Sequence, residues 1–465
     1  MEPKSSAQNT VDAPVTAGRV VLYEGRKASK RLHVVIVGCG IGGLAAAFCL
    51  GQAGHDITVL ENTSQVGEIG AGIQVCPNLS RLLIRWGLGE RLKEIAERDR
   101  PQAFTFCRYS SGEKVGMSRL GDKLERLHGA PWYVVHRRDL YDMLYSIAKP
   151  FMDLRLGCKV VSVDPDTPAV RLESGESITA DLIIGCDGIH SVVRNYVLGE
   201  ESIPLAVPWG DVAYRAIVPT KEMLDDPELR SLVENPEITC WIGPGKHLVG
   251  YCISGGEKYN MVAVKANGGS TCYSTEEGNP DELRASYVGW EPRVQKLLSR
   301  VKMVLKSTLM ICNPLKTWTH SSGRVTLVGD SCHPMLPYRA QGSAMAIEDA
   351  AVLGNLFSRL SRHSEISQIL EAYQSIRFGR TASAQTASYI NRQNYHVEDG
   401  EEQEARDALM RLAMERELEE ETYENLGNPN AWSDKAKNAE TFDHDADAAT
   451  EKWWSQHAVA ARAHL

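Results

Sequence analysis

The chain has 465 residues, of which 43% are hydrophobic and 24% are charged. These are ordinary values for a folded, water-soluble protein, and they exclude a mainly disordered chain, a collagen or a coiled coil. The net charge is −9, from 51 Lys and Arg against 60 Asp and Glu. A nucleic-acid-binding protein normally shows a basic excess or stripe, so we expect no nucleic acid among the partners.

The cysteines and the apolar runs predict where the protein resides. The 11 cysteines are scattered, without CxxC pairs or zinc-ligand spacing, and they predict free thiols and no metal site. No run of about 18 apolar residues occurs, and the polar first 30 residues do not resemble a signal peptide. We therefore expect a cytoplasmic protein without a transmembrane segment, and a flexible N-terminal arm over residues 1–31.

The first predicted unit along the chain is a strand, a helix and a second strand. Residues 33–37 (HVVIV) form a short apolar run typical of a buried parallel strand. A glycine turn follows, then an Ala- and Leu-rich stretch over 44–51, then a second apolar run over 56–60. This order predicts a βαβ unit, and the pattern from about residue 75 to 150 is mainly helical.

The glycine turn carries the spacing of a dinucleotide-binding fingerprint. Gly38 permits a tight turn, Gly40 allows a pyrophosphate to approach the backbone, and Gly43 allows close packing of helix on strand. The helix N-terminus would face the phosphates. Glu61, at the end of the second strand, would accept hydrogen bonds from ribose hydroxyls. The spacing predicts a dinucleotide site and leaves both NAD and FAD open.

The later elements predict a second domain. Strand patterns return over 150–190 and end in the apolar run 182–185. Many short β-like segments over 200–310 predict a sheet-rich domain. A buried-strand pattern over 324–329 is followed by helices, and the charged tail has a helical composition.

Two turns after predicted strands carry candidate cofactor contacts. Asp330 follows the last predicted strand and could bind a ribityl hydroxyl. The turn at Gly342 and Ser343 opens a helix whose N-terminus could stabilise negative charge on a reduced flavin. Asp187, in an Asp-Gly turn, could either cap a helix or clamp a cofactor phosphate, and both interpretations stay open.

Together, the GxGxxG with Glu61, the Asp187-Gly188 turn and the Gly329-Asp330…Pro337…Gly342 stretch resemble three fingerprints of one family. These belong to the single-component FAD-dependent aromatic hydroxylases of the para-hydroxybenzoate hydroxylase class. The likeness is strongest to fungal salicylate hydroxylase-like monooxygenases. The resemblance implies an α/β fold with a Rossmann-type, glutathione reductase-like FAD-binding domain, an inserted β-sheet substrate domain and C-terminal helices.

This family organisation suggests domain boundaries. We place the FAD-binding domain at residues 32–110, 130–200 and 315–390, the substrate-binding sheet domain at 201–314, and a helical C-terminal extension at 391–465.

The resemblance also implies roles for individual residues around FAD. Glu61 holds the adenosine ribose. The other candidate cofactor residues are Gln74 beside the flavin, Arg137, Asp330 on the ribityl chain and Ser343 near the ring, with Arg81 as a further candidate phosphate partner.

On the substrate side, Arg215 and Tyr251 lie in segments that resemble the Arg-bearing and Tyr-bearing strands of fungal phenol-hydroxylating relatives. Arg215 would stabilise a phenolate, and Tyr251 would orient it by a hydrogen bond. Arg215 could also serve in a structural ion pair, and Tyr251 as a core aromatic side chain. Tyr214 should face away from the pocket, because neighbouring strand residues point to opposite sides.

Two further features concern the oxygen and proton chemistry. His333, Pro337 and Tyr338 should form the loop where oxygen reacts. Some bacterial relatives place a histidine base in the Gly-Ala-Gly segment, where this chain has Gln74, which accepts no proton at neutral pH. A base, if one is needed, must therefore lie elsewhere.

We predict an FAD- and NADPH- or NADH-dependent monooxygenase. It would insert one oxygen atom from O2 into a small aromatic substrate through a flavin C4a-hydroperoxide, in fungal secondary metabolism. Epoxidation of an indole or alkene is the main alternative, ahead of salicylate hydroxylation proper and of a non-hydroxylating flavoprotein. The sequence is compatible with a monomer or a homodimer.

Overall fold

The computed structural model describes residues 20–65, 71–199, 207–266, 275–419 and 428–463. The strands are β1 His33–Val37, β2 Asp56–Leu60, β3 Gly72–Val75, β4 Ala103–Arg108, β5 Lys114–Arg119, β6 Tyr133–His136, β7 Met152–Arg155, β8 Val160–Asp164, β9 Ala169–Leu172, β10 Ser177–Thr179, β11 Leu182–Gly185, β12 Val207–Pro219, β13 Glu237–Gly243, β14 Lys246–Ile253, β15 Lys258–Ala266, β16 Thr275–Gly278, β17 Val304–Ile311 and β18 Val325–Leu327. The helices are α1 Ile41–Gln52, α2 Pro77–Leu83, α3 Gly89–Ala96, α4 Gly121–His128, α5 Arg137–Ala148, α6 Val192–Leu198, α7 Lys221–Leu224, α8 Pro227–Glu234, α9 Pro280–Ser286, α10 Pro292–Ser299, α11 Gly342–Phe357, α12 Ile366–Tyr395, α13 Glu401–Leu418, α14 Lys435–Phe442 and α15 Ala446–Ala463.

A five-stranded parallel sheet forms the first layer, in the order β18-β11-β1-β2-β7. Every residue of β11 and all but the first of β1 are buried. Parallel strands buried on both faces are continuously apolar, as these segments are. Helix α1 packs on this sheet, α5 and α11 pack on α1, and the predicted βαβ unit is confirmed.

An eight-stranded sheet forms the second layer, in the order β16-β17-β12-β15-β14-β13-β4-β5. One face packs on the helices α8, α9 and α10, and its side chains share one hydrophobic cluster. The opposite face carries a second, aromatic-rich cluster. Side chains alternate between these two faces along each strand, which decides which residues can reach a ligand.

Residues 75–150 are helical over more than half of their length, as predicted, but they also contain the strands β4 to β6, which the prediction omitted. Strand β4 pairs in parallel with β13. Strand β4 (AFTFCR) is buried along its whole length. A short run without alternation of apolar and polar residues cannot be distinguished from a buried helix by its periodicity, so the sequence did not indicate this strand. The part of our FAD-binding segment 32–110 that forms β4 therefore lies in the substrate sheet.

The N-terminal arm is also different from the prediction where the structure describes it. Residues 1–19 lie outside the described residues, but residues 20–31 pack against the protein. Leu22 and Tyr23 are buried, and the guanidinium of Arg26 donates to Asn355 at 3.1 Å and to Glu451 at 3.0 Å. Burial of two apolar side chains and these polar contacts hold the segment in place.

The C-terminal extension wraps back onto both layers. Helix α13 packs on β5, α14 on α2, and α15 on α11. Arg81, a candidate phosphate partner by resemblance, instead donates to the backbone carbonyls of Phe442 at 2.9 Å and His444 at 3.0 Å. Its guanidinium therefore fixes the extension. Among the described residues, we find no helix long and apolar enough to cross a bilayer.

Candidate active site

A cavity of about 800 Å³ lies between the carboxyl ends of the parallel strands and the aromatic-rich face of the second sheet. Its volume is within the range of small-molecule sites, and the carboxyl ends of parallel strands are where such ligands bind. Seven residues selected from the sequence line it: Gly40, Gln74, Arg137, Arg215, Tyr251, Asp330 and Ser343. Gly38, Gly43, Glu61 and Asp187 do not line it.

The three glycines of the fingerprint are required for different reasons. Gly38 has a φ of +102°, and a Cβ there would lie 2.4 Å from the carbonyl oxygen of Cys186. A Cβ at Gly43 would lie 2.0 Å from the carbonyl oxygen of Gly38. No described atom lies within 4 Å of a Cβ placed at Gly40, because this residue faces the cavity. Gly38 and Gly43 close the turn, and Gly40 leaves room for a ligand.

Glu61 lies beside this turn. Its carboxylate accepts the backbone N–H of Cys39 and that of Thr63, each at 2.9 Å. These bonds hold the carboxylate at the end of β2, next to the N-terminus of α1. Contact with a ribose remains a prediction.

Asp187 caps helix α6. Its carboxylate accepts the hydroxyl of Ser191 at 2.5 Å and the backbone N–H groups of Val192 and Val193 at 2.7 and 3.1 Å. The helix cap, one of our two interpretations, is thus present, and contact with a phosphate remains a prediction. The neighbouring Gly188 does line the cavity.

Asp330 and Arg137 bring opposite charges to the cofactor end of the cavity. The side chain of Asp330 is accessible from the cavity, yet protein atoms surround it closely enough that desolvation raises the pKa of its carboxyl. His333, Arg137 and Arg194 oppose this rise. An acceptor and a cation in one cavity match a ligand that has both hydroxyl and phosphate groups.

The loop after β18 is fixed by buried charges. His333 shares a 2.6 Å hydrogen bond with Asp349, which also accepts the guanidinium of Arg377 at 2.7 Å. Burial acts to raise the pKa of Asp349, but its contacts with His333 and Arg377 outweigh burial and hold this pKa below its usual value. His333 does not line the cavity, whereas Pro337 and Tyr338 do. Two of the three residues of our predicted oxygen loop thus reach the site.

Arg215 and Tyr214 point to opposite faces of β12, as strand alternation requires. Arg215 lines the cavity, and its guanidinium donates to the hydroxyl of Ser307. Tyr214 is in the cluster under the helices and donates to Glu282 at 2.5 Å. No carboxylate of the described residues forms a salt bridge with Arg215. Burial and the nearby Arg137 lower its pKa, so an anionic ligand would be stabilised here.

Gln74 and Tyr251 complete this wall. Burial raises the pKa of Tyr251, and Arg215 opposes the rise, so the phenol stays neutral. The side-chain oxygen of Gln74 is buried and has no hydrogen-bond partner among the described residues. An unsatisfied buried acceptor at a cavity wall can accept a donor from a ligand, such as a flavin ring N–H. With the open space at Gly40 and the charges of Asp330 and Arg137, the site fits FAD.

His247 is a cavity residue that the sequence analysis missed. It lies on the same face of β14 as Tyr251, and its Nδ1 lies 2.7 Å from Nε2 of His396. Burial lowers the pKa of both imidazoles, that of His396 to about 3. Because alternate residues of a strand share a face, the sequence could have indicated that His247 and Tyr251 lie on the same side of β14. The contact with His396 could not be predicted, because that residue is 149 positions away in the sequence. Burial therefore keeps the imidazole of His247 neutral and makes it a weak proton acceptor.

The histidine pair should make stability depend on pH. Below about pH 6.5 the unfolded chain protonates His396, whereas the folded protein does not until about pH 3. Between about pH 7.5 and about pH 5.5, His396 alone should lower the free energy of unfolding by about 1.4 kcal/mol. Urea unfolding at both pH values measures this loss, and His396→Gln should remove that part of it. An identical loss in both proteins would contradict the pairing.

Comparison with known proteins agrees with this geometry. Residues 31–388 match the family model described as FAD binding domain. The chain belongs to this family. It is 36% identical over 391 residues to the FAD-dependent monooxygenase OpS4 of Beauveria bassiana, covering 83% of this chain and 91% of that protein. It is 32% identical to a 3-hydroxybenzoate 6-hydroxylase of Klebsiella oxytoca, over 84% of this chain and 95% of that protein.

A solved structure supports the same assignment. HpxO of Klebsiella pneumoniae, complexed with FAD and uric acid, superimposes with a TM-score of 0.71 at 26% identity, over 87% of this chain and 98% of that one. The predicted α/β fold, the FAD cofactor and the family resemblance are therefore confirmed. This chain is an FAD-dependent monooxygenase.

Proposed function

We propose that the enzyme uses NADPH or NADH to insert one oxygen atom of O2 into a small, electron-rich aromatic substrate, such as a phenol. The observation that carries the proposal is Arg215, a cation on the cavity wall without a carboxylate partner among the described residues. It lies next to Tyr251 and opposite the FAD-binding turns. A phenolate bound there would be held against the flavin.

The side chains supply position and charge. Arg215 would stabilise the phenolate oxygen, and a phenolate ring is much more nucleophilic than a phenol ring. The hydroxyl of Tyr251 would donate to the same oxygen and orient the ring. The phenol proton would leave to solvent, because Gln74 accepts no proton at neutral pH and burial makes the imidazole of His247 a weak base. We infer that Arg215 and Tyr251 prepare the substrate for oxidation.

The fingerprint residues would hold the cofactor. Gly40 gives the pyrophosphate access to the N-terminus of α1, while Asp330 accepts a ribityl hydroxyl. Gln74 accepts a ring N–H, and Arg137 binds a phosphate. Ser343, at the N-terminus of α11, offers backbone N–H groups near the ring. When bound and reduced, FAD supplies the activated oxygen, and the protein supplies orientation and electrostatics.

A setting in fungal secondary metabolism is part of the same proposal, supported by the named fungal relative OpS4. We also keep the division into an FAD-binding part and a substrate sheet as a proposal, with β4 moved to the sheet. Epoxidation of an indole remains the second candidate, because most of the cavity wall facing Arg215 is apolar or aromatic.

The test is stimulated consumption of NADPH or NADH by the purified yellow protein. The panel holds salicylates, resorcinol-type phenols and indoles, and products are identified by mass. We expect at least one phenol to stimulate consumption and to gain one oxygen atom. Oxidation of indoles alone would favour epoxidation and remove the phenolate role of Arg215. Consumption that no ring compound stimulates would contradict the proposal.

A further inference from the structure

The cavity continues beyond Arg215 into an aromatic compartment, which we define as Phe104, His247, Tyr338, Tyr395 and Trp432. Arg215 is on β12 and Phe104 is on β4, four strand positions away in the order β12-β15-β14-β13-β4. Neighbouring strands lie about 4.8 Å apart, so these residues are separated by roughly 19 Å across the sheet. This distance exceeds the length of one substituted benzene ring.

Part of the compartment comes from outside the family match, which ends at residue 388. Tyr395 is the last residue of α12, and Trp432 belongs to the C-terminal extension. The ring of Trp432 stacks on Phe104 with centroids 5.0 Å apart and planes 20° apart. Its indole N–H donates to the hydroxyl of Tyr395 at 2.7 Å. The C-terminal extension thus contributes Trp432 to the wall of the compartment.

Trp432 is fixed in place before any ligand binds. The guanidinium of Arg339 lies 4.5 Å from its ring centroid, and its backbone carbonyl accepts Asn438 at 2.6 Å. An aromatic side chain held by stacking, a cation and hydrogen bonds loses little entropy when it binds a second ring. Phe104 stacks on one face of the ring and the guanidinium of Arg339 covers the other, so a ligand group would contact the edge of Trp432.

The hydroxyl of Tyr395 offers a ligand a hydrogen-bond donor in the compartment. The hydroxyl of Tyr395 accepts the indole of Trp432 and, at 3.5 Å, the amide of Asn391. Its own proton has no acceptor within the described part of the chain. The remaining wall, such as Val249 and Leu309, is apolar. A ligand group here would be apolar or aromatic, and a single hydrogen-bond acceptor on it would be satisfied.

We propose that the natural substrate carries, besides the ring that is oxidised, a second aromatic or apolar group that binds in the aromatic compartment. The C-terminal extension then determines substrate size, through Trp432 above all. This inference rests on the proposed function, since it places the oxidised ring at Arg215.

The test compares matched ligands on the FAD-bound enzyme. Phenol and 4-(4-phenylbutyl)phenol, whose second ring can extend from Arg215 towards the compartment, are titrated, and binding is followed by the change in flavin absorbance. Burying a second ring should tighten binding about 10- to 100-fold in the wild type. Trp432→Ala should reduce this preference about tenfold and leave the dissociation constant for phenol unchanged. Trp432→Phe keeps the stacking ring and should keep most of the preference.

The outcomes separate this inference from the proposed function. If phenol is oxidised but 4-(4-phenylbutyl)phenol binds no more tightly, the inference is wrong and the function stands. If Trp432→Ala weakens both ligands equally, the inference is again wrong. If neither ligand binds, the inference is wrong, and the proposed function is decided by the wider panel of ring compounds. Trp432→Leu replaces Trp432→Ala should the latter fail to retain FAD, and it should show the same selective loss.

Discussion

Replacing Arg215 with Ala should lower kcat/KM for substrate oxidation by about 100- to 1,000-fold, the usual cost of removing a charge-stabilising donor. The guanidinium faces the cavity without a carboxylate partner in the described chain, so its loss removes the charge opposite the phenolate. FAD content should stay unchanged. The measurement is product formed per NADPH or NADH consumed, with flavin content determined on the same samples. We expect continued, unproductive consumption of the nicotinamide.

Two variants control this experiment. Arg215→Lys keeps a positive charge without the planar guanidinium, and it should restore part of the activity. Tyr214→Phe alters the neighbouring residue on the opposite face, where its hydroxyl binds Glu282, and it should leave product formation unchanged. If Tyr214→Phe and Arg215→Ala were equally inactive, the defect would be structural and Arg215 would have no special role.

Gly40→Ala and Gly43→Ala should both lose FAD, but for different reasons. At Gly40 a methyl group meets no described atom within 4 Å and would occupy cofactor space. This variant should remain folded and bind FAD much more weakly. At Gly43 the methyl group would lie 2.0 Å from a backbone oxygen, so α1 must move away from β1. Overpacking of this kind costs about 1–3 kcal/mol or more in stability.

Flavin content and urea unfolding of the apoprotein together distinguish the two effects. Gly42→Ala is the matched control, because its methyl group would make ordinary contacts with Ala346 at 3.4 Å and Val328 at 3.5 Å. It should retain FAD and stability. A destabilised Gly40→Ala apoprotein, or a Gly43→Ala protein as stable as the wild type, would contradict the reasons given for these glycines.

The parts of the site that could be predicted from sequence are those encoded locally. Strand alternation predicted that Arg215 and Tyr214 face opposite ways, and the spacing from Gly38 to Gly43 predicted the βα turn. Each depends on residues a few positions apart, where backbone geometry leaves few alternatives.

The parts that escaped prediction depend on distant partners. Strand β4 joins a sheet whose next strand, β13, begins more than a hundred residues later. The partner of His247 is in the C-terminal extension, and so are the carbonyls that bind Arg81. The sequence alone does not indicate which distant group a charged or aromatic side chain will contact in the folded protein. The aromatic wall at Trp432 could not be predicted from the sequence for the same reason.

The most direct test of the account is the source of the inserted oxygen atom. The FAD-bound enzyme is supplied with NADPH or NADH and with the best substrate of the panel, in buffer made with ordinary water under an atmosphere of ¹⁸O₂. The account predicts a product that carries one ¹⁸O atom. A product that carries oxygen from water, or no added oxygen, would contradict a monooxygenase reaction at this site.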